Sequence, residues 1–283
     1  RPVLRLSASP KPKGWTRTPW LSARASNLYN LAPDTARRMN TPLPDALDQI
    51  RPQIRAQHPY IVGMPPAIDV KLNQNESPFD LDPDFKRDLI ERLMAEPFNR
   101  YATEQPERLR AAFAKHVGVD ASQVVISNGS NELCYTLGLC FIGPGSKVVL
   151  PRPMFALHEK VVHLYGGELV SIGPRQDLTF DAEAIEAAVR EHRPTLTVLT
   201  TPNNPTGLEM TAHEIDRIVA AAAPGIVVVD EAYAEFMNEP SALRLIDEWP
   251  NVLVMRTFSK AFGLAGVRLG ALIGNADLID EIG

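Results

Sequence analysis

The chain has 283 residues, of which 45% are hydrophobic and 22% charged, and its net charge is −5 at neutral pH. That length allows one large or two modest domains with a substantial core, and the acidic balance argues against a general nucleic-acid binder. No apolar run approaches the roughly 20 residues that a membrane-spanning helix needs. Cys134 and Cys140 show neither metal-ligand spacing nor a disulfide framework; they read as buried small residues of a reduced, cytoplasmic protein with no metal site.

Residues 1–38 carry eight Lys/Arg and one acid, Asp34, in a Ser-, Arg- and Pro-rich stretch without periodicity. They are expected to lie outside the fold, as translated upstream sequence or, alternatively, as an organellar transit peptide. From Met39, closely spaced prolines punctuate a short segment, and residues 58–63 before two further prolines read as an extended arm. Residues 71–78 read as a short strand running into a polar turn. Helical spacing over 83–94 sets Phe85, Leu89, Ile90 and Leu93 on one face, and a second amphipathic helix over 107–117 ends at Gly118.

A regular alternation follows. Strands are predicted over 123–127, 147–150, 168–172, 195–200, 226–229, 251–256 and 267–273. Helices are predicted over 131–141, 155–165, 181–192 and 211–222, with Thr211 and Glu214 at capping-box spacing. The pattern predicts an α/β fold, a mainly parallel seven-stranded sheet with helices on both faces.

In such sheets ligands bind beyond the carboxyl ends of the strands, which singles out four loops. Asn128-Gly129-Ser130-Asn131-Glu132 opens a helix and offers backbone N–H groups to a phosphate. Asn203 and Asn204 are amide donors stiffened by Pro202 and Pro205. Asp230 ends a buried strand, where a carboxylate is costly without a cation or ligand. Lys260 sits among small and apolar residues, between two hydroxyls and Arg268; poor solvation there favours the neutral amine, the nucleophile that condenses with an aldehyde. Taken singly each has a plainer reading as a turn, a cap or a surface charge. Together they supply what pyridoxal phosphate requires.

The motifs Asn203-Asn204-Pro205-Thr206-Gly207, Asp230-Glu231-Ala232-Tyr233 and Ser259-Lys260-Ala261-Phe262-Gly263, the last continuing through Arg268, resemble those of class II, fold-type I aminotransferases. With Asn73-Gln74-Asn75-Glu76 and Asn99-Arg100-Tyr101, the resemblance is closest to the histidinol-phosphate aminotransferases and runs from about Met39 to the last residue. It implies pyridoxal 5'-phosphate as cofactor and exchange of an amino group between L-histidinol phosphate and 2-oxoglutarate, in histidine biosynthesis. It implies further that Lys260 bonds the cofactor and moves the substrate proton, that Asp230 holds a proton on the ring nitrogen, and that Asn204 and Tyr233 contact the ring oxygen. Phe155 would stack on the ring. Ser130, Asn131, Thr257, Ser259 and Arg268 would bind the phosphate. Tyr101 would reach the cofactor of a second copy, making a homodimer, and Tyr60 and Asn75 would meet substrate.

On the same resemblance, residues 39–80 are an arm and part of a small domain, and 81–283 are the large cofactor-binding domain. The rest of the small domain is expected to be missing, together with its carboxylate-binding arginine; Arg244 and Arg256 match no such motif. Ala102 stands where the family commonly has proline. Three alternatives share the cofactor motifs: a broad-specificity or aromatic aminotransferase, a phosphothreonine decarboxylase, and a non-catalytic regulator domain.

Overall fold

The computed structural model describes residues 48–55, 71–101 and 105–283. The basic extension and the expected arm at 58–63 lie outside them. Contacts divide the chain between Arg51 and Pro52, and the fold below is that of the unit Pro52–Gly283.

Seven strands form one sheet: β1 (Val124–Ser127), β2 (Lys147–Pro151), β3 (Glu168–Ile172), β4 (Leu196–Thr200), β5 (Ile226–Asp230), β6 (Val252–Thr257) and β7 (Gly270–Gly274). Their order is β1-β7-β6-β5-β4-β2-β3. β3, β2, β4, β5 and β6 pair in parallel, whereas β7 is antiparallel to both of its neighbours. Two antiparallel steps restore direction, so β1 runs the same way as β6. The carboxyl ends of β1, β2, β4, β5 and β6 therefore share one rim with the amino end of β7.

Side chains alternate between two cores, as the pleat requires. On one face Val149, Leu199, Val227, Val229, Val252 and Val254 pack under α2 (Glu107–Val117), α5 (Ala182–His192) and α6 (Ala212–Ala222). On the other, Val148, Leu150, Val198, Val228, Leu253 and Met255 pack under α3 (Ser130–Phe141), α4 (Ala156–Tyr165) and α7 (Ala276–Ile282). The central run Val227–Val229 is wholly excluded from solvent, and each such side chain contributes about 1.5–3 kcal/mol on burial. The expected caps are present: the Asp181 carboxylate accepts from Ala184 N, and Thr211 and Glu214 form a reciprocal capping box.

Three local expectations are corrected. Residues 71–72 are not a strand; Leu72 is exposed, and the backbone that follows serves the cavity described below. β7 begins at Gly270 rather than 267, because Ala265–Val267 is a short 3-10 turn. Cys140 is exposed while Cys134 is buried. The helix α1 (Pro83–Ala95) forms as expected and is capped by Asp82, yet it buries none of its residues. Phe85, Leu89, Ile90 and Leu93 stay about half exposed among the described residues.

Candidate active site

The rim holds a cavity of about 510 Å³. It spans the place where the chain, having gone outward from β2 to β3, returns on the other side of β2 as β4. At such a reversal the loops diverge and leave a crevice. Phe155, after β2, and Asn204, after β4, stand on its two sides, and Asp230, Tyr233, Thr257, Ser259 and Lys260 follow from β5 and β6.

One end is built for an anion. Ser130 and Asn131 start α3 directly after Gly129, so their N–H groups lack helical partners and face the cavity. Gly129 has φ +85°, and a Cβ there would come 2.4 Å from Arg268 Nη2. Arg268 is itself left-handed, at φ +61°, and reaches the rim because the amino end of β7 lies there. Gly270 opens β7 hard against this turn, where a Cβ would stand 2.7 Å from Ser130 N. Thr257 Oγ1 donates to Ser259 Oγ at 3.0 Å and accepts from Ser259 N at 3.2 Å, which turns the chain toward Lys260.

The opposite wall is a carboxylate with a buried partner. Asp230 accepts from Ala232 N at 3.1 Å and meets His158 Nε2 at 2.9 Å. Burial works against a charged imidazole, but the Cys134 sulfur and the Asp230 carboxylate outweigh it and carry the His158 pKa from 6.5 to about 10. Asp230 is thus held by His158, whose ring Phe155 meets edge-on at 6.2 Å. On the reverse of the same strand ends, buried Glu231 pairs with Arg256 at 2.8 Å and accepts from Ser241 Oγ and Ala242 N. Burial pushes the Glu231 carboxyl up against these donors. Arg256 and Arg244, which contacts Asp216 and the Ala212 carbonyl, are both engaged away from the cavity.

Lys260 is half-buried. Its Nζ donates to the Gln74 carbonyl at 2.7 Å and lies 5.7 Å from the Tyr233 ring centre. Burial pushes its pKa below the ordinary lysine value; Glu76 opposes this and Arg268 adds to it. Asn75 Nδ2 donates to Tyr233 Oη at 3.0 Å. Phe258 and Phe262 on either side of Lys260 stack in a chain with Phe113, anchoring the loop to α2.

The cavity unites Asn75, Ser130, Asn131, Phe155, Asn204, Asp230, Tyr233, Thr257, Ser259, Lys260 and Arg268. Tyr101 does not line it and is fully exposed, and Tyr60 lies outside the described residues. Sequence reasoning missed His158 and Glu76. The first left a signal, being the polar member of the buried face formed with Leu157, Val161 and Val162. A buried imidazole needs a partner, though nothing local says that it is Asp230.

Residues 67–283 match the family described as aminotransferase class I and II. A histidinol-phosphate aminotransferase of Chlorobaculum tepidum is 45% identical over 233 residues, 82% of this chain and 67% of the relative. That of Chlorobaculum parvum is 44% identical over 82% of this chain and 65% of the relative. The chain thus spans about two thirds of the length of these relatives. The solved histidinol-phosphate aminotransferase of Sinorhizobium meliloti, in complex with pyridoxal-5'-phosphate, superposes with a TM-score of 0.73 at 26% identity, over 82% of this chain and 65% of that one. The L-threonine-O-3-phosphate decarboxylase of Porphyromonas gingivalis shares the fold, with a TM-score of 0.60 at 24% identity over 72% and 62% of the two chains. The chain belongs to the class I and II aminotransferase family.

Proposed function

We propose that the protein binds pyridoxal 5'-phosphate in this cavity and transfers the amino group of L-histidinol phosphate to 2-oxoglutarate, yielding imidazole acetol phosphate and L-glutamate. The observation that carries the reading is one cavity with an anion cradle at one end, a held carboxylate on the opposite wall and a half-buried lysine beside them. The relatives' identity of 44–45% supports the choice of substrate.

When bound, pyridoxal phosphate supplies an aldehyde that condenses with amines and a ring that accepts the electrons freed when a Cα–H bond breaks. The Ser130 and Asn131 N–H groups, the Thr257 and Ser259 hydroxyls and Arg268 would bind its phosphate. Asp230, held by His158, would keep a proton on the ring nitrogen, and Asn204 and Tyr233 would donate to the ring oxygen. Phe155 covers the ring face and excludes water. Lys260 would hold the cofactor through its aldehyde and, as a free amine, would carry the proton away from the substrate Cα. Its depressed pKa lets the neutral amine form at a lower pH than for an ordinary lysine.

The same reading includes a homodimer, in which a second copy covers the exposed apolar face of α1 and receives Tyr101, and a cytoplasmic location in keeping with the free Cys134 and Cys140. The test uses the full chain with its cofactor. Transfer of labelled nitrogen from L-histidinol phosphate to 2-oxoglutarate and a visible absorption band are expected, and Lys260→Ala abolishes both. A band and amino transfer that survive in the variant overturn the assignment. Release of carbon dioxide from a phosphorylated amino acid in place of amino transfer overturns the reaction while leaving the cofactor.

A further inference from the structure

The chain bends at Asn73 and Gln74, and residues 73–76 line the cavity. Lys71 Nζ bridges the Gln74 Oε1 atom, at 2.6 Å, and the Glu76 carboxylate, in a hydrogen-bonded ion pair. The bridge closes the turn on itself and aims two groups inward. The Gln74 carbonyl accepts from Lys260 Nζ at 2.7 Å, and the Asn75 side chain, on a residue at φ +52°, donates to Tyr233 Oη. Glu76 and Gln74 both line the cavity. The anion of the pair therefore shares the cavity with the Lys260 amine, and its cation sits just behind.

We propose that Lys71 and Glu76 are a pair of positioning residues that set how readily Lys260 gives up its proton. The pair is partly solvated and only its anion lines the cavity, so its field at the amine is that of the anion weakened by its cation. The other charged or titratable groups facing the amine are Arg268 from the turn before β7, the Tyr233 phenol after β5, and Asp230, already engaged by His158. Glu76 is thus the carboxylate at this cavity that has no buried partner of its own, and the Lys260 balance responds to it: Glu76 raises the pKa while burial and Arg268 lower it. Too strong an anion would keep the amine charged and unreactive. Lys71 moderates it.

Charge and shape make different demands on two variants. Glu76→Gln keeps the length and the hydrogen bond to Lys71 but leaves the cation uncompensated, so the Lys260 pKa falls by a few tenths of a pH unit or more. Lys71→Met leaves the anion uncompensated, so the pKa rises. A turn that mattered only for packing would loosen in both variants, expose the amine and move both upward. The measurement is competitive acetylation of Lys260 against pH, read by mass spectrometry on the full chain freed of cofactor. The inference rests on Lys260 being the reacting amine, yet labelling requires no cofactor. Its failure therefore leaves the assignment of the site intact, and loss of the absorption-band test leaves the titration intact. Opposite displacements support the proposal. Displacements of the same sign, or none in Glu76→Gln, overturn it.

Discussion

The rim of the sheet and the segment before it are made from similar residues and behave in opposite ways. At the ends of β5 and β6, Asp230, Glu231 and Thr257 are buried, and each polar group meets a named partner. Across residues 71–101, by contrast, large side chains such as Leu72, Phe79, Phe98 and Tyr101 stand in solvent, and α1 buries nothing. The first region gets its geometry from hydrogen-bonded neighbours on both sides. The second reaches the rim only through its first residues, where Gln74 meets Lys260 and Asn75 meets Tyr233; beyond them α1 has local structure alone, and its apolar stripe is the surface that the proposed second copy covers. A polar site can be rigid only where the sheet beneath it is complete.

The contrast is tested most severely by Leu253→Ala. This β6 side chain is wholly buried, and its loss is expected to cost about 2–5 kcal/mol in denaturant unfolding. A cost below about 1 kcal/mol would show that the rim is not held by the packing beneath it. Next in size is Gly129→Ala. The added methyl meets Arg268 in a backbone conformation that disfavours side chains, so affinity for pyridoxal phosphate, followed by absorption titration, is expected to fall about fivefold or more, as a strain of about 1–3 kcal/mol implies. Unchanged affinity would remove this turn from the phosphate cradle.

The His158–Asp230 pair gives a pH-dependent effect of known sign. The folded pKa of His158 is raised, so the stability it contributes is fully present below about 6.5 and lost as pH rises through about 10. The stability difference between the protein and His158→Gln, measured by unfolding across that window, should shrink as pH rises. A difference that grows with pH would mean the imidazole is neutral in the folded protein. The smallest effect on folding is expected for Phe85→Ser, on the exposed face of α1. It should leave the unfolding of the dissociated chain within about 0.5 kcal/mol and weaken self-association in sedimentation. A folding cost comparable to that of Leu253→Ala would mean that this face is already packed.

Much of the molecule could be read from the chain. The β-branched runs and the 3.6-residue periods located every strand of the sheet and its covering helices α2 to α6, and Asp181, Thr211 and Glu214 marked helix starts through contacts only three residues long. Residues whose chemistry is intrinsic were also legible: an amine among small residues at Lys260, and a carboxylate ending an Ile-Val-Val-Val strand at Asp230. The strand expected at 71–72 failed because strand formation needs a neighbour, and none pairs with that segment among the described residues.

By itself, then, the sequence determined the elements of the sheet, its two faces and which side chains are candidates for the chemistry, because each depends on residues a few positions apart. Tertiary structure alone decided that β7 runs antiparallel and so delivers Arg268 to the rim. It also decided that His158 rather than solvent holds Asp230, 72 residues away, and that Gln74 reaches Lys260 across 186 residues. Those pairings depend on which backbones hydrogen-bond side by side, and strand direction and partner choice are properties of the assembled sheet that no local period encodes.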